Sequence, residues 1–554
     1  MLELPFLYNH PTWRGSPWHC DPECRFVGGL KCIGAFVGED EWVAARLAKT
    51  AVNHLKPLDT IAQLCDTERM TNRLQCQLQV VRYCASPACN YWMRLTPPSA
   101  FSACPGENPF DGPIKRVLAE ILNFDPESAQ GSFAMRQAFL PLALGGMGLS
   151  SVQMVGRAAF VGSLTTAWSG IGELVPSLKV PLDDPSLDGC PSIRQLRVHY
   201  DALVADHACT ASQYNHYEHC QPYGNGQRPF HPSDHPSRPP PLAAFSEEAP
   251  EEGCSYRSRA QHCFTAVANH AAWLELHRDL RAQGLARDPV RFVSVSQPGA
   301  TAYLTASPSS NPTFRMDSDQ MRVAVQRQLG VPLTCCAEAA SANDQVDEFG
   351  DVFVNSGVDN DRPEHTSRHN AVLRQWIAGL KRGWPGKGKV RGDVGQRYRR
   401  ASPNAKPDAW VWRGGNFGNH IIFELKLTSP LSGAGVPRTS IAATAALGGT
   451  AHELITAIDA KYQPARQLGH TVIPLIHDVF GAVHHEARQC IVDTSDRTRG
   501  WNMRRRDSSV PWSAPTLKPW MQQSISMALH RAVAEQILQG ASYEQARLDG
   551  ELEL

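Results

Sequence analysis

At 554 residues the chain can bury several cores, and a norm of about 100 to 200 residues per domain predicts three or four units. Its 54 basic and 54 acidic residues cancel, which excludes any global electrostatic case for nucleic acid and leaves only local patches to carry one. The 16 cysteines are irregularly spaced and diluted, unlike a secreted disulfide framework, and no apolar run approaches the about 20 residues that span a bilayer.

The start MLELPFLYNHPTW lacks a basic region followed by a hydrophobic core, so the sequence predicts an intracellular protein with reduced thiols and no membrane partner. Early in the chain, His19-Cys20 and Cys24 have metal-like elements but no closely spaced second pair, and they read as incidental. Glu41 to Leu55 and Gln75 to Leu95 carry apolar residues at helical spacing, which makes residues 1–215 a helical region. Asp183-Asp184 sits between prolines and reads as a structural loop. Residues 216–253, with PSDHPSRPPP and EEAPEEG, read as a proline-rich linker, followed by a connector over 254–342. Residues 343–365 are polar and acidic and are expected to form a second, mobile connector.

The chemistry concentrates in residues 366–540. From Lys381 to Arg399 the chain carries Lys381, Arg382, Lys387, Lys389, Arg391, Arg397 and Arg399 against the single acid Asp393, with Trp384 and Tyr398 interleaved. Such a stretch suits a phosphate backbone and unstacked bases, although charge runs are also common on solvated loops. Next come Lys406-Pro407-Asp408, a strand reading over Ala409–Trp412, a turn-rich Arg413–Asn419, and His420-Ile-Ile-Phe-Glu-Leu-Lys-Leu427. Side chains alternate faces along a strand, so Glu424 and Lys426 share one face while Ile421, Phe423 and Leu425 take the other. A hairpin symmetric about Asn416 sets Asp408 opposite Glu424, roughly 5 Å apart at the point of attachment, and a slip of one residue would destroy that pairing. Two carboxylates there are suited to hold a divalent cation, with Lys426 beside them to position water and offset developing charge, which is the chemistry of phosphodiester cleavage. An exposed hairpin with an ordinary charged face is the plainer reading of the same residues. Thr450 and Glu453 fit a capping box, and His484-His485-Glu486 reads as a solvated turn.

These segments also resemble a known family. Arg368-His-Asn-Ala-Val-Leu-Arg374, KPDAW, FELKLTSPL, Lys461-Tyr462 and VIPLIHDVFGAV are similar, in order, to the restriction-like endonuclease domain that follows reverse transcriptase in some non-LTR retrotransposons. GGLKCIGAFVGEDEWV, VRYCASPACNYWMRLTPPS and LPLALGGMGLSSVQMVGRAAFVGSL resemble the end of the polymerase palm and the thumb. AYLTASPSS, MRVAVQRQLGVP and SISMALHRAVAEQI resemble connecting and terminal parts. The resemblance implies a multidomain α plus α/β chain, a helical thumb-like region followed by a PD-(D/E)XK core with a mixed central sheet. It implies a metal-dependent DNA endonuclease with Asp408, Glu424, Lys426 and Lys461 as catalytic residues, and with Mg²⁺ or Mn²⁺ held by Asp408, Glu424 and the Leu425 carbonyl. DNA, with element RNA as a second candidate partner, would contact Arg368, His369, Lys387, Lys389, Arg391, Arg397 and Arg399, with no small-molecule substrate and a nuclear site of action. Arg368 and His369 equally suit a simple helix start, and Lys461 equally suits an ordinary helix surface.

Departures from the family shape the expectation. No paired palm aspartates precede the thumb-like region, so no polymerase activity is expected. Cys335 and Cys336 are adjacent, and Val352 and Asn355 stand where His and Cys would complete four ligands, so no zinc is expected. Pro464 interrupts the helix that carries Lys461. The same sequence admits a retroelement-derived protein that binds nucleic acid without cutting, or the product of a decayed gene.

Overall fold

The computed structural model describes residues 29–32, 35–64, 71–104, 107–219, 238–245, 260–284, 287–355, 363–385, 390–392, 406–412, 420–431, 448–499 and 501–549. Among them, no helix is long and apolar enough to cross a membrane. His19, Cys20, Cys24, Lys387, Lys389, Arg397 and Arg399 lie outside the described residues.

A short hairpin, β1 (Gly29–Cys32) with β2 (Ala35–Gly38), precedes helix α1 (Asp40–Leu55). The helical spacing read from Gln75 to Leu95 is realised as an almost unbroken run: α-helix Arg73–Val80, a π turn Val81–Ala85, a 3₁₀ turn Ser86–Cys89 and α-helix Asn90–Leu95. Helices α2 (Val152–Leu174), α3 (Pro191–His219) and α4 (Ala260–Ala282) pack on one another. Their apolar side chains, among them Trp168, Leu196 and Phe264, form a core of their own, and Leu242 and Phe245 from the proline-rich segment are buried in it. Asp184 accepts from the Ser186 N–H and caps the 3₁₀ turn Pro185–Leu187, the structural role its proline-flanked setting suggests.

Helices α5 (Arg287–Val295) and α6 (Ser318–Leu329) follow. Asp317 and Gln320 form a reciprocal capping box at the start of α6. Gly330 ends it at φ 75°, and a Cβ there would meet the Arg291 guanidinium at 2.5 Å, so both the backbone and the space call for glycine. The segment expected to be a mobile connector is packed in part. Asp347 accepts from three backbone N–H groups, and helix Asp351–Asn355 buries Asp351 and Val354. Of the acids that suggest mobility, Asp351 faces buried arginines and Asp347 closes a turn, while Asp344 and Glu348 remain exposed.

The C-terminal part is a mixed four-stranded sheet ordered β3 (Val390–Arg391), β4 (Ala409–Val411), β5 (Ile421–Thr428) and β6 (Thr471–Asp478). Strands β3, β4 and β5 pair antiparallel. Strand β6 pairs parallel to β5, which requires a crossover, and helix α8 (Gly448–Gln467) supplies it after α7 (Pro363–Gly383) has opened the region. Helices α9 (His485–Asp496) and α10 (Leu517–Leu548) complete it. Alternation along β5 sorts its side chains into two cores. Ile421, Phe423 and Leu425 join the large core with Trp376 of α7 and Ile491 of α9, and Ile422 joins Ile458 and Tyr462 of α8. The architecture is α plus α/β. The 32-residue α10 packs against α6, α7 and α9, and the large core gathers residues from Phe36 at one end of the described chain to Ala541 at the other.

Candidate active site

The residues at the end of β4 and along β5 converge because of register. Ala409 pairs with Phe423, Trp410 with Ile422 and Val411 with Ile421, which sets Asp408, one residue earlier, opposite Glu424. This is the register that symmetry about Asn416 requires. Trp412 falls just outside the strand and is exposed.

Glu424 is buried, at 2% side-chain exposure, and every close partner is a donor. Its Oε1 accepts from Lys461 Nζ at 2.7 Å and lies 3.0 Å from Lys426 Nζ. Its Oε2 accepts from the Tyr462 hydroxyl at 2.6 Å. Lys426 reaches Glu424 from two positions along the same strand face, and α8 brings Lys461 and Tyr462 over that face. Burial, reinforced by the negative charge of Glu424, pushes the Tyr462 phenol well above its ordinary range, so it remains a hydrogen-bond donor.

Asp408 Oδ2 accepts the Leu425 N–H at 2.7 Å and lies 3.5 Å from His369 Nε2. Burial opposes the charged form of His369, but the hydrogen bond and charge of Asp408, together with Asn370, outweigh it and raise the imidazole above its ordinary value. The N–H and C=O of one strand residue leave the chain at the same edge, so the Leu425 carbonyl also faces the edge where Asp408 sits. Two carboxylates and a backbone carbonyl form an all-oxygen donor set of the kind a hard cation such as Mg²⁺ or Mn²⁺ takes. Among the described residues no group of three or more His, Cys, Asp and Glu side chains is placed to hold a metal.

The structure therefore joins Asp408, Glu424, Lys426, Lys461 and His369, and it separates Arg368 from them. The expectation of Arg368 at a phosphate is corrected. It is buried and donates to Gln536 Oε1 at 3.0 Å and to the Val354 carbonyl, so no nucleic acid reaches it. Adjacent residues on a helix point about 100° apart, which is how His369 faces the site while Arg368 faces α10. Arg391 is exposed on edge strand β3. Trp384, expected to be open to bases, carries the Arg497 guanidinium 4.4 Å from its ring centre.

Tyr462 is a site residue that sequence reasoning misses although it neighbours Lys461. Its signal is a hydroxyl on an otherwise apolar helix face shared with Ile458 and Ala465. His484 does not sit in a solvated turn: it is buried at the start of α9, and burial lowers it to about 4. Thr450 lies inside the first turn of α8, which begins at Gly448, so it is not the cap that its spacing to Glu453 suggests. Pro464 lies within α8, and the helix continues to Gln467. Asp478, a further acid on β6, does not belong to the site. It stands opposite Thr428, four residues along from the Glu424 and Pro474 pair, and holds a turn by accepting from the Phe480 and Ala482 N–H groups and the Ser294 hydroxyl. The chain matches no protein-family model and no curated protein.

Proposed function

We propose that the chain is a metal-dependent DNA endonuclease with a PD-(D/E)XK core, similar to the thumb, connector and endonuclease parts of a non-LTR retrotransposon protein and acting on nuclear DNA. The observation that supports this most is the pairing of Asp408 with Glu424 across the β4–β5 register, with Lys426 and Lys461 converging on Glu424. Asp408, Glu424 and the Leu425 carbonyl would hold Mg²⁺ or Mn²⁺, which when bound polarises the phosphate and acidifies water. Lys426, 41% exposed, is free to swing from Glu424 to position the attacking water. Lys461, 38% exposed, would meet a non-bridging phosphate oxygen and offset its developing charge. Tyr462 holds the Glu424 carboxylate in one orientation, and His369 does the same for Asp408. Arg391, exposed on β3, would supply part of a sequence-independent grip on the backbone.

A second reading draws on the same carboxylate. Both Glu424 oxygens are already occupied by Lys426, Lys461 and Tyr462, which suits a protein that binds nucleic acid without cutting it. The experiment that separates the two is incubation of the purified full chain with supercoiled plasmid and Mg²⁺ or Mn²⁺, with and without a chelator. Nicked or linear product that disappears with chelator, and in a folded Glu424→Ala variant, supports the nuclease. Binding without product at any metal concentration supports the second reading.

A further inference from the structure

The Arg504-Arg505-Arg506 run and the exposed aromatics Tyr83 and Trp512 share none of the contacts that build the carboxylate site. Tyr83 and Trp512 are 43% and 55% exposed, yet their rings meet edge to face at 5.7 Å from distant parts of the sequence. A pair of exposed rings offers the kind of surface on which bases stack.

The platform is built by a chain of hydrogen bonds. Arg82 donates to the Leu304 carbonyl at 3.2 Å and sets its guanidinium 4.8 Å from the Tyr83 ring centre. Further along the same segment, the Ser307 N–H donates to the Ser513 hydroxyl at 3.0 Å, and the Asn311 amide donates to the Ser509 hydroxyl. These bonds tie the loop 501–516 to the 304–313 segment and so bring Trp512 to Tyr83. The loop closes on itself through Met503 N–H to the Pro515 carbonyl at 2.8 Å, which sets the Arg504 turn beside the stretch that presents Trp512. Residues 501–518 carry Arg504, Arg505, Arg506 and Lys518 against one acid, Asp507. That acid is engaged internally by the Ser509 N–H and hydroxyl at 3.0 and 2.6 Å.

We propose that Tyr83 and Trp512 form a stacking platform for single-stranded nucleic acid, with Arg504, Arg505 and Lys518 contacting its phosphates. Every base offers a π face, so such a surface is tolerant of sequence, and bases within a duplex are not available to it. The Arg82 guanidinium at the Tyr83 ring and the cations of the loop 501–518 favour a polyanion over an apolar peptide. The platform is independent of the carboxylate site, so it stands or falls separately from the nuclease reading.

The test uses the full chain and a fluorescently labelled dT strand of about 20 nucleotides, long enough to span the site sizes typical of such surfaces, beside a duplex of the same length. A Tyr83→Leu/Trp512→Leu double variant should weaken single-strand binding about tenfold or more while changing duplex binding less than about twofold, and Tyr83→Phe/Trp512→Phe should bind like the parent. Unchanged single-strand affinity in a variant with the parent melting temperature overturns the platform, as does an equal loss on duplex. Should the leucine variant unfold, photocrosslinking of the parent chain to a 5-bromodeoxyuridine strand decides. Adducts on Tyr83 or Trp512 support the platform, and adducts confined to other peptides overturn it.

Discussion

Two clusters of carboxylates and cations, built from the same kinds of side chain, behave differently because one is sealed and one is open. In the sealed cluster Asp351 takes Arg287 Nε at 2.6 Å and Arg327 Nη2 at 2.8 Å, while Asp288 takes Arg287 at 2.9 Å and Arg291 at 3.3 Å. Side-chain exposures there run from 0% to 10%. Gln137 Oε1 accepts from Arg291 at 3.0 Å, Phe349 lies under Arg287 and Phe480 under Arg327. Burial lowers Arg291 to about 10 even with Asp288 beside it. This cluster joins helix Ala129–Ala138, α5, α6 and the turn after β6, and every member is held on several sides. In the Asp408 and Glu424 cluster Glu424 is buried and Asp408 half-buried, but the cations on Glu424, Lys426 and Lys461, are more than a third exposed and can leave. A charge that can exchange partners serves chemistry, and one that cannot serves the fold.

The largest effect that tests this contrast is on stability. Asp351→Ala strands the buried Arg327 guanidinium and takes one of two carboxylate partners from Arg287, and should cost roughly 3–5 kcal/mol, read as a fall in the urea midpoint or a failure to fold. Glu424→Ala leaves its lysines able to reach water and strands only the Tyr462 hydroxyl, a cost of about 1–3 kcal/mol. If Glu424→Ala proves the more destabilising of the two, the assignment of roles is inverted.

Activity should respond the opposite way. Asp408→Ala, Glu424→Ala and Lys426→Ala should each reduce plasmid cleavage by roughly a hundredfold or more while the protein stays folded, since each removes a proposed ligand or the cation beside it. A folded Glu424→Ala protein that cuts at the parent rate would refute the site.

Acid should attack the sealed interior first. Burial lowers His477 to about 3 and His530 to about 4, below the unfolded value near 6.5. The unfolded chain therefore binds more protons between those values, and stability falls as pH drops from about 6.5 toward 4. Asp478, raised by burial to about 6, has the opposite sign: its contribution is complete below about 3.8 and is lost as pH rises through 6. The open cluster contributes with that second sign too, because His369 is raised and its contribution fades as pH rises through its folded value. Melting temperatures between about pH 4 and 8 should fall on the acid side, and His477→Gln should flatten that fall. A melting temperature that rises on acidification would contradict the neutral burial of these histidines.

The smallest effect concerns the grip on DNA. Neutralising Lys387, Lys389, Arg391, Arg397 and Arg399 should flatten the plot of log affinity against log salt by nearly one unit for each phosphate no longer neutralised, and Asp408→Ala should leave the slope unchanged. An unchanged slope in the charge-neutralised chain would place duplex binding elsewhere.

The sequence by itself determined the local elements whose periodicity matches their burial. Strand β5, its two-faced alternation and the pairing of Asp408 with Glu424 follow from the hydrophobic pattern and from a turn-rich interval of the right length. The helical run from Arg73 to Leu95 follows from apolar spacing. Tertiary structure decided what each polar residue faces. Arg368 and His369 are adjacent in sequence and equally polar, but packing against α10 buried the first and left the second at Asp408. Tyr462 became a donor to Glu424 only because the parallel crossover through α8 lays that helix over β5. Asp351 lies in an acidic stretch that composition reads as solvated, and it became the centre of a buried cluster because Arg287 and Arg327 come to it from other helices. Periodicity records how much of a face is buried, whereas the partner of a charge is fixed by long-range packing that no local pattern encodes.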